Sequence, residues 1–218
     1  MQDRCQSEGF FSRRRTLALA AALLAFLAIV EGPAAIAAPE PEVVPRRWQL
    51  RVEPGDLRLC SIEVPGEGLK AFFYLTYKVT NTTGEDRYFS PTFEIVTEHQ
   101  QPVRSGRNVP PAVVQTILAR TGNALLQDEI SVQGPLLQGP ENAREGLVIW
   151  PADHLIAGGE LHVFAGGFSG ETKTVARPDN GAAVVLRKTL MLRYEALGIL
   201  DPTDGRPLRR LGERWILR

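Results

Sequence analysis

Cysteine is almost missing from this chain of 218 residues: there are two, Cys5 and Cys60, and only Cys60 lies beyond the N-terminal segment. A disulfide within the folded body is excluded, so stability has to come from an apolar core. Histidine is scarce too, with His99, His154 and His162 the only three, and no two share the close spacing of a recognised metal motif. Charge of one sign is not in excess; the formal net charge is zero. That balance argues against the basic surface on which nucleic-acid binding by counterion release depends. A long hydrophobic run is also absent. The apolar stretch Thr16 to Val30 has 15 residues, short of the roughly 20 that cross a bilayer as a helix. Gly166-Gly167-Phe168-Ser169-Gly170 lacks the Lys-Ser/Thr ending of a phosphate loop, and Glu171 stands where a nucleophile elbow around Ser169 needs glycine. No motif here supports an enzyme, and no cofactor is expected.

The first 37 residues carry the clearest positive signal. Ser12-Arg13-Arg14-Arg15 precedes the uncharged run, Gly32-Pro33 breaks it, and Ala34-Ala35-Ile36-Ala37 supplies small side chains. This is the three-part layout of an export signal, with Ala35 and Ala37 as cleavage determinants and the cut after Ala37. The twin-arginine and general secretory routes both remain open, because Thr16 and Ala18 stand where a twin-arginine signal favours Phe and Lys. Uncleaved, residues 16–38 would instead anchor the chain with its body facing the periplasm. Cleavage removes Arg4, Arg13, Arg14 and Arg15 from 25 basic residues, and Asp3, Glu8 and Glu31 from 25 acidic ones. The 181 that remain hold 21 and 22, a net charge near −1.

Beyond the signal the punctuation is that of a β protein. Residues 38–46, with Pro39, Pro41 and Pro45, read as a Pro-rich linker. Trp48, Leu50 and Val52 alternate with polar residues in a strand ending at Pro54-Gly55. Leu57 to Val64 follows, closed by Pro65-Gly66. Cys60 falls within that strand, where an inert, half-buried thiol is expected. From Phe72 to Thr80, Phe73, Leu75, Tyr77 and Val79 define one face. Asn81 to Asp86 then predicts a hairpin turn with the chain returning as Arg87 to Glu98, bulged or at an edge by Pro91. Asn81-Thr82-Thr83 also fits a glycosylation acceptor, though a plain turn explains it as well.

Pro110-Pro111, the spacing of Val113, Val114, Ile117 and Leu118, and Gly122 predict one helix that docks on a sheet. Leu125 and Leu126 are expected to add a turn. Leu147 to Trp150, Glu160 to Phe164, Thr172 to Ala176 and Ala182 to Tyr194 read as strands, the last two joined at Asn180-Gly181. Residues 198–218 read as a basic C-terminal tail with Trp215 packed on the body and the arginines in water. Strands at this spacing predict a mainly β fold: an antiparallel, immunoglobulin-like sandwich over residues 47–197 with one short inserted helix, preceded by the signal helix.

Asp153-His154 with Glu160 and His162 is the nearest approach to a metal constellation, since these imidazoles and carboxylates could converge across one loop. Phe73 to Gly84, Gly146 to Pro151, Phe164 to Thr172 and Leu186 to Leu190 resemble the corresponding phrases of an uncharacterised family of secreted proteins from planctomycete-type bacteria, over Trp48 to Tyr194. That resemblance implies compartment and fold and carries no site. The strand, Thr-Gly turn and strand pattern is similar to immunoglobulin-like modules of bacterial envelope proteins, with the helix as an insertion and the inter-sheet cysteine pair missing. The expectation is an exported, non-catalytic binding or structural module, periplasmic or extracellular, whose partner is an envelope protein or glycan. It contacts a membrane only through an uncleaved signal. The rival is a small hydrolase or metal-binding protein using His154 and His162.

Overall fold

Strand β1 (Arg51–Val64) turns at Pro65-Gly66 and pairs antiparallel with β2 (Gly68–Thr80), beginning a four-stranded sheet. A computed structural model describes residues 39–44, 47–97, 101–152, 159–196, 202–203 and 205–218. The export segment, with Ala35 and Ala37, lies outside these, as do His99, Asp153 and His154. The protein is mainly β, with one short helix and several mostly antiparallel sheets.

In chain order the further elements are β3 (Arg87–Phe89), β4 (Thr92–Thr97), β5 (Val103–Arg104), helix α1 (Pro111–Thr121), β6 (Leu126–Gln127), β7 (Gly134–Leu136), β8 (Arg144–Pro151), β9 (Gly159–Gly166), β10 (Thr172–Ala176), β11 (Ala183–Ala196) and β12 (Arg210–Leu217). One sheet has the order β1-β2-β8-β6, with β6 parallel to β8. The second runs β10-β11-β9-β4-β5, and β12 pairs with β11. A small pair, β3 with β7, stands apart from both.

One apolar cluster takes residues from both large sheets. Phe73, Leu75, Tyr77 and Val79 of β2 meet Phe93 and Ile95 of β4, Leu161 and Val163 of β9, and Leu190 and Leu192 of β11, with Trp150 and Phe168 fully buried among them. Each such side chain contributes roughly 1.5–3 kcal/mol on burial. The face of β2 expected from its alternation is the face that is buried, because successive strand residues point to opposite sides. Its other face, with Phe72, joins Cys60, Ile62, Leu147 and Ile149 under α1, which buries Val113 and Ile117 there. Pro111 opens that helix and Gly122, at φ 64°, ends it in the left-handed region, as expected. Cys60 is buried and free, and burial pushes its thiol up against the opposing charge of Arg120.

Several local expectations change. Pro54-Gly55 does not end a strand. It forms a bulge inside β1, where Pro54 faces Tyr77 and Leu57 faces Leu75. A bulge on an edge strand accommodates the missing proline N–H, and a side chain at Gly55 would collide with Thr76. Asn81 to Asp86 is no hairpin either: β3 pairs with β7 and β4 with β9, so the chain leaves its first sheet and enters the second. Asn81, fully buried, fixes that crossing. Its Nδ2 donates to the carbonyls of Glu85 (2.9 Å) and Leu136 (2.8 Å), and its Oδ1 accepts from Thr83 N (3.1 Å) and Oγ1 (2.9 Å). A group so enclosed offers no amide for glycosylation.

Leu126 enters β6 instead of extending a helical turn, and Leu125 is exposed. The β10–β11 hairpin turns at Asn180-Gly181, where Gly181 has φ 68°. Arg210–Leu217, part of the expected tail, is a strand in register with Lys188 to Tyr194, and Trp215 packs against the core. In the Pro-rich linker, the Glu42 amide donates to Glu171 Oε1 at 2.9 Å, so this part of the segment is docked on the body.

Candidate functional site

Where β8, α1 and two loops meet, the protein gathers polar groups over an apolar floor. The first loop runs from Ser105 to α1. Ser105 N donates to Phe93 O and Gly106 N to Ile149 O, each at 2.9 Å, so the loop is pinned to both large sheets. The second loop joins β6 to β7. Asp128 shapes it by accepting from Ile130 N (2.8 Å), Ser131 N (2.9 Å) and Ser131 Oγ (2.8 Å). Burial alone would raise the Asp128 carboxyl, but these donors outweigh it and hold the group below its ordinary range.

Glu129 follows and points the other way in its chemistry. Its Oε1 accepts from Ser105 Oγ at 2.8 Å, and Ser105 is buried. Desolvation pushes this carboxyl up, against the Ser105 hydrogen bond and the Arg104 charge. Gly106 makes the approach possible: it has φ 72°, and a Cβ there would lie 2.8 Å from Glu129 Oε2. Nearby, the ring of Tyr77 packs on Phe93 (centroids 4.8 Å apart) and lies across Gly146. Its hydroxyl is buried with no hydrogen-bond partner among the described residues. Burial, then the Glu129 charge, raises that phenol.

Ser105, Gly106, Asp128 and Glu129 edge a cavity of about 580 Å³ with Val114, Leu147 and Ile149 on its apolar side and the exposed Gln115, Ile130 and Gln133 also lining it. Across the Arg104–Val109 loop lies a second cavity of about 770 Å³, bounded by Val64, Phe72, Lys70 and Glu67. Arg104, Gly106, Arg107 and Val109 line both. Apolar walls with a few converging polar groups are the usual make-up of small-molecule sites. Ser105 and Glu129 form a hydroxyl–carboxylate pair, but among the described residues no imidazole lines either cavity to complete a hydrolytic relay.

Of the residues singled out in the sequence, Glu160 and His162 lie elsewhere. Glu160 and His162 alternate with the buried Leu161 and Val163, so they sit on the opposite face of β9 from the core. Glu160 accepts from Arg193 Nε (2.9 Å) and Nη2 (2.7 Å), and His162 Nε2 lies 3.1 Å from its Oε2. The Arg193 and His162 hydrogen bonds pull the Glu160 carboxyl down to about 2. A carboxylate held by an arginine fork is engaged as an ion-pair partner, and the described residues hold no cluster of three metal-ligating side chains. His154 and Asp153 fall outside the described residues.

Glu129 and Ser105 escaped the sequence reading, and Tyr77 entered it only as part of one face of its strand. The one local signal for Ser105 is Arg104-Ser105-Gly106-Arg107-Asn108, a polar turn between an apolar strand and a proline-led helix. Among the described residues no helix is long and apolar enough to cross a membrane. Compared with protein families, curated proteins and solved structures, the chain matches none of them.

Proposed function

We propose that this chain is an exported, non-catalytic protein of the cell envelope: an immunoglobulin-like β-sandwich that binds a ligand or partner in the cavities flanking Arg104–Val109. The layout of residues 1–37 and the small side chains at Ala35 and Ala37 support export to the periplasm or beyond. Two mostly antiparallel sheets sharing one core support the sandwich. The observation that carries the binding role is the pair of cavities, whose Arg104 and Arg107 side chains make no ion pair or hydrogen bond with any described residue. The rival metal-dependent reading has less support, since Arg193 already occupies Glu160.

Photo-crosslinking in the native envelope tests this. A photoreactive residue at Ile130, which is exposed and lines the 580 Å³ cavity, should capture an envelope protein or glycan, while one at Val185, in the distant β10–β11 hairpin, should not. Equal capture at both positions, or stoichiometric metal lost on joint substitution of His154 and His162, would overturn the reading. Sequencing the N-terminus of the exported form checks the cut after Ala37.

A further inference from the structure

We propose that the 770 Å³ cavity binds a small amphiphile carrying one oxyanion, a carboxylate or a phosphate, on an apolar body; this rests on the reading of the chain as a binding module. Among the described residues three cations border the cavity, Lys70, Arg104 and Arg107, against the single acid Glu67. The only ion pair among them is Lys70 with Glu67, at 3.9 Å and with both side chains substantially exposed. Such a surface pair contributes little and yields readily to a stronger anion. Neither arginine side chain forms an ion pair with a described residue, although the Arg104 charge acts on Glu129, and a guanidinium fork matches a carboxylate or phosphate in bidentate fashion.

The backbone adds donors. Gly106 (φ 72°) and Asn108 (φ 56°) place left-handed residues on either side of Arg107. That alternation of hand is the pattern of amide nests that hold anions. The neighbouring 580 Å³ cavity sets Asp128 and Glu129 against the same two arginines, whereas the 770 Å³ cavity adds Lys70 and, among the described residues, only Glu67. There the floor is apolar and packed: Val64 and Phe72 are 4% and 3% exposed and belong to the cluster beneath α1. A charged rim over such a floor selects a ligand with an anionic head and an apolar body, and the volume falls in the range of about 300–1,000 Å³ found for small-molecule sites.

Calorimetric titration of the purified protein with octanoate, octyl phosphate, octanol and inorganic phosphate tests this. Octanoate and octyl phosphate should each bind at least tenfold more tightly than octanol or inorganic phosphate, and more weakly as salt rises. Their ratio tells which oxyanion is preferred. The variant Arg104→Gln with Arg107→Gln should lose at least tenfold for both anions, with octanol binding and the urea midpoint unchanged. Octanol binding as tightly as octanoate would overturn the charge claim and leave the cavity as a binding seat. Inorganic phosphate matching octyl phosphate would overturn the apolar half. Capture at Ile130 without binding of either octyl anion would sink this proposal while the binding-module reading stands.

Discussion

Lys188 and Glu171 form an ion pair inside the protein, with Nζ 2.8 Å from Oε2 and side chains 3% and 11% exposed. The ammonium also lies 5.7 Å from the centre of the Trp215 ring. The second Glu171 oxygen accepts from the Glu42 amide. One carboxylate thereby joins the loop after β9, a buried lysine on β11, and a segment 129 residues away in sequence.

Removing one member of this pair leaves the other buried and unmatched, so Lys188→Met should cost about 3 kcal/mol in urea unfolding. Burial raises the Glu171 carboxyl, but the hydrogen bonds from Lys188 and the Glu42 amide, with the Lys188 charge, prevail and leave it below its ordinary range. A carboxyl depressed in the folded state contributes stability above its unfolded pKa, and loses it as pH falls through the folded one. The urea midpoint of the wild type should therefore fall on the acid side of that window, and the double variant Glu171→Gln with Lys188→Met should show a shallower slope. Equal slopes would show that the pair does not act this way.

Glu129 has the opposite sign. Its carboxyl is raised by burial, so its contribution is greatest below the unfolded carboxylate pKa and is lost as pH rises through the folded value. Glu129→Gln should gain stability relative to wild type at pH 7 and lose that advantage at pH 4, read as the difference in urea midpoint. A constant difference at both values would rule out this assignment.

Gly146 faces Tyr77 across β8 and β2, and a Cβ there would collide with the phenol ring. Gly146→Ala should destabilise by about 2–3 kcal/mol, the cost of overpacking a filled core. Tyr77→Phe should leave the midpoint within about 0.5 kcal/mol of wild type or raise it, because it removes a buried hydroxyl without a partner. A large loss in the second variant would point to a bound water or ligand on that hydroxyl.

Asn81→Ala would remove a donor from the Leu136 carbonyl and the acceptor of the Thr83 amide at the crossing between sheets, while the Glu85 carbonyl keeps Thr83 Oγ1 and Gln138 Nε2. A loss of roughly 3 kcal/mol is expected, with no change in mass attributable to a glycan. Thermal unfolding and intact-mass measurement check both.

Cys60 should resist Ellman's reagent in the native protein at neutral pH and react fully in denaturant, since its thiol is buried and pushed up. Rapid native labelling would show that α1 opens readily from the sheet.

The sequence alone determined the extended state of several strands, the bounds of the helix, and the buried face of β2. Phe73 to Val79 announces its buried face at a period of two, Pro110-Pro111 and Gly122 bracket the helix, and Asn180-Gly181 closes a hairpin. These are local signals, written into steric and burial preferences over a few residues. Tertiary structure alone decided the partners: that the strands after Asp86 leave their neighbour for the second sheet, that Arg210–Leu217 is a strand and no tail, and that Glu129 lies beside Ser105 and the Tyr77 hydroxyl. The reason is that pairing and desolvation depend on which distant surfaces become buried together. A carboxylate's neighbours in space set its charge, and those neighbours come from segments far along the chain.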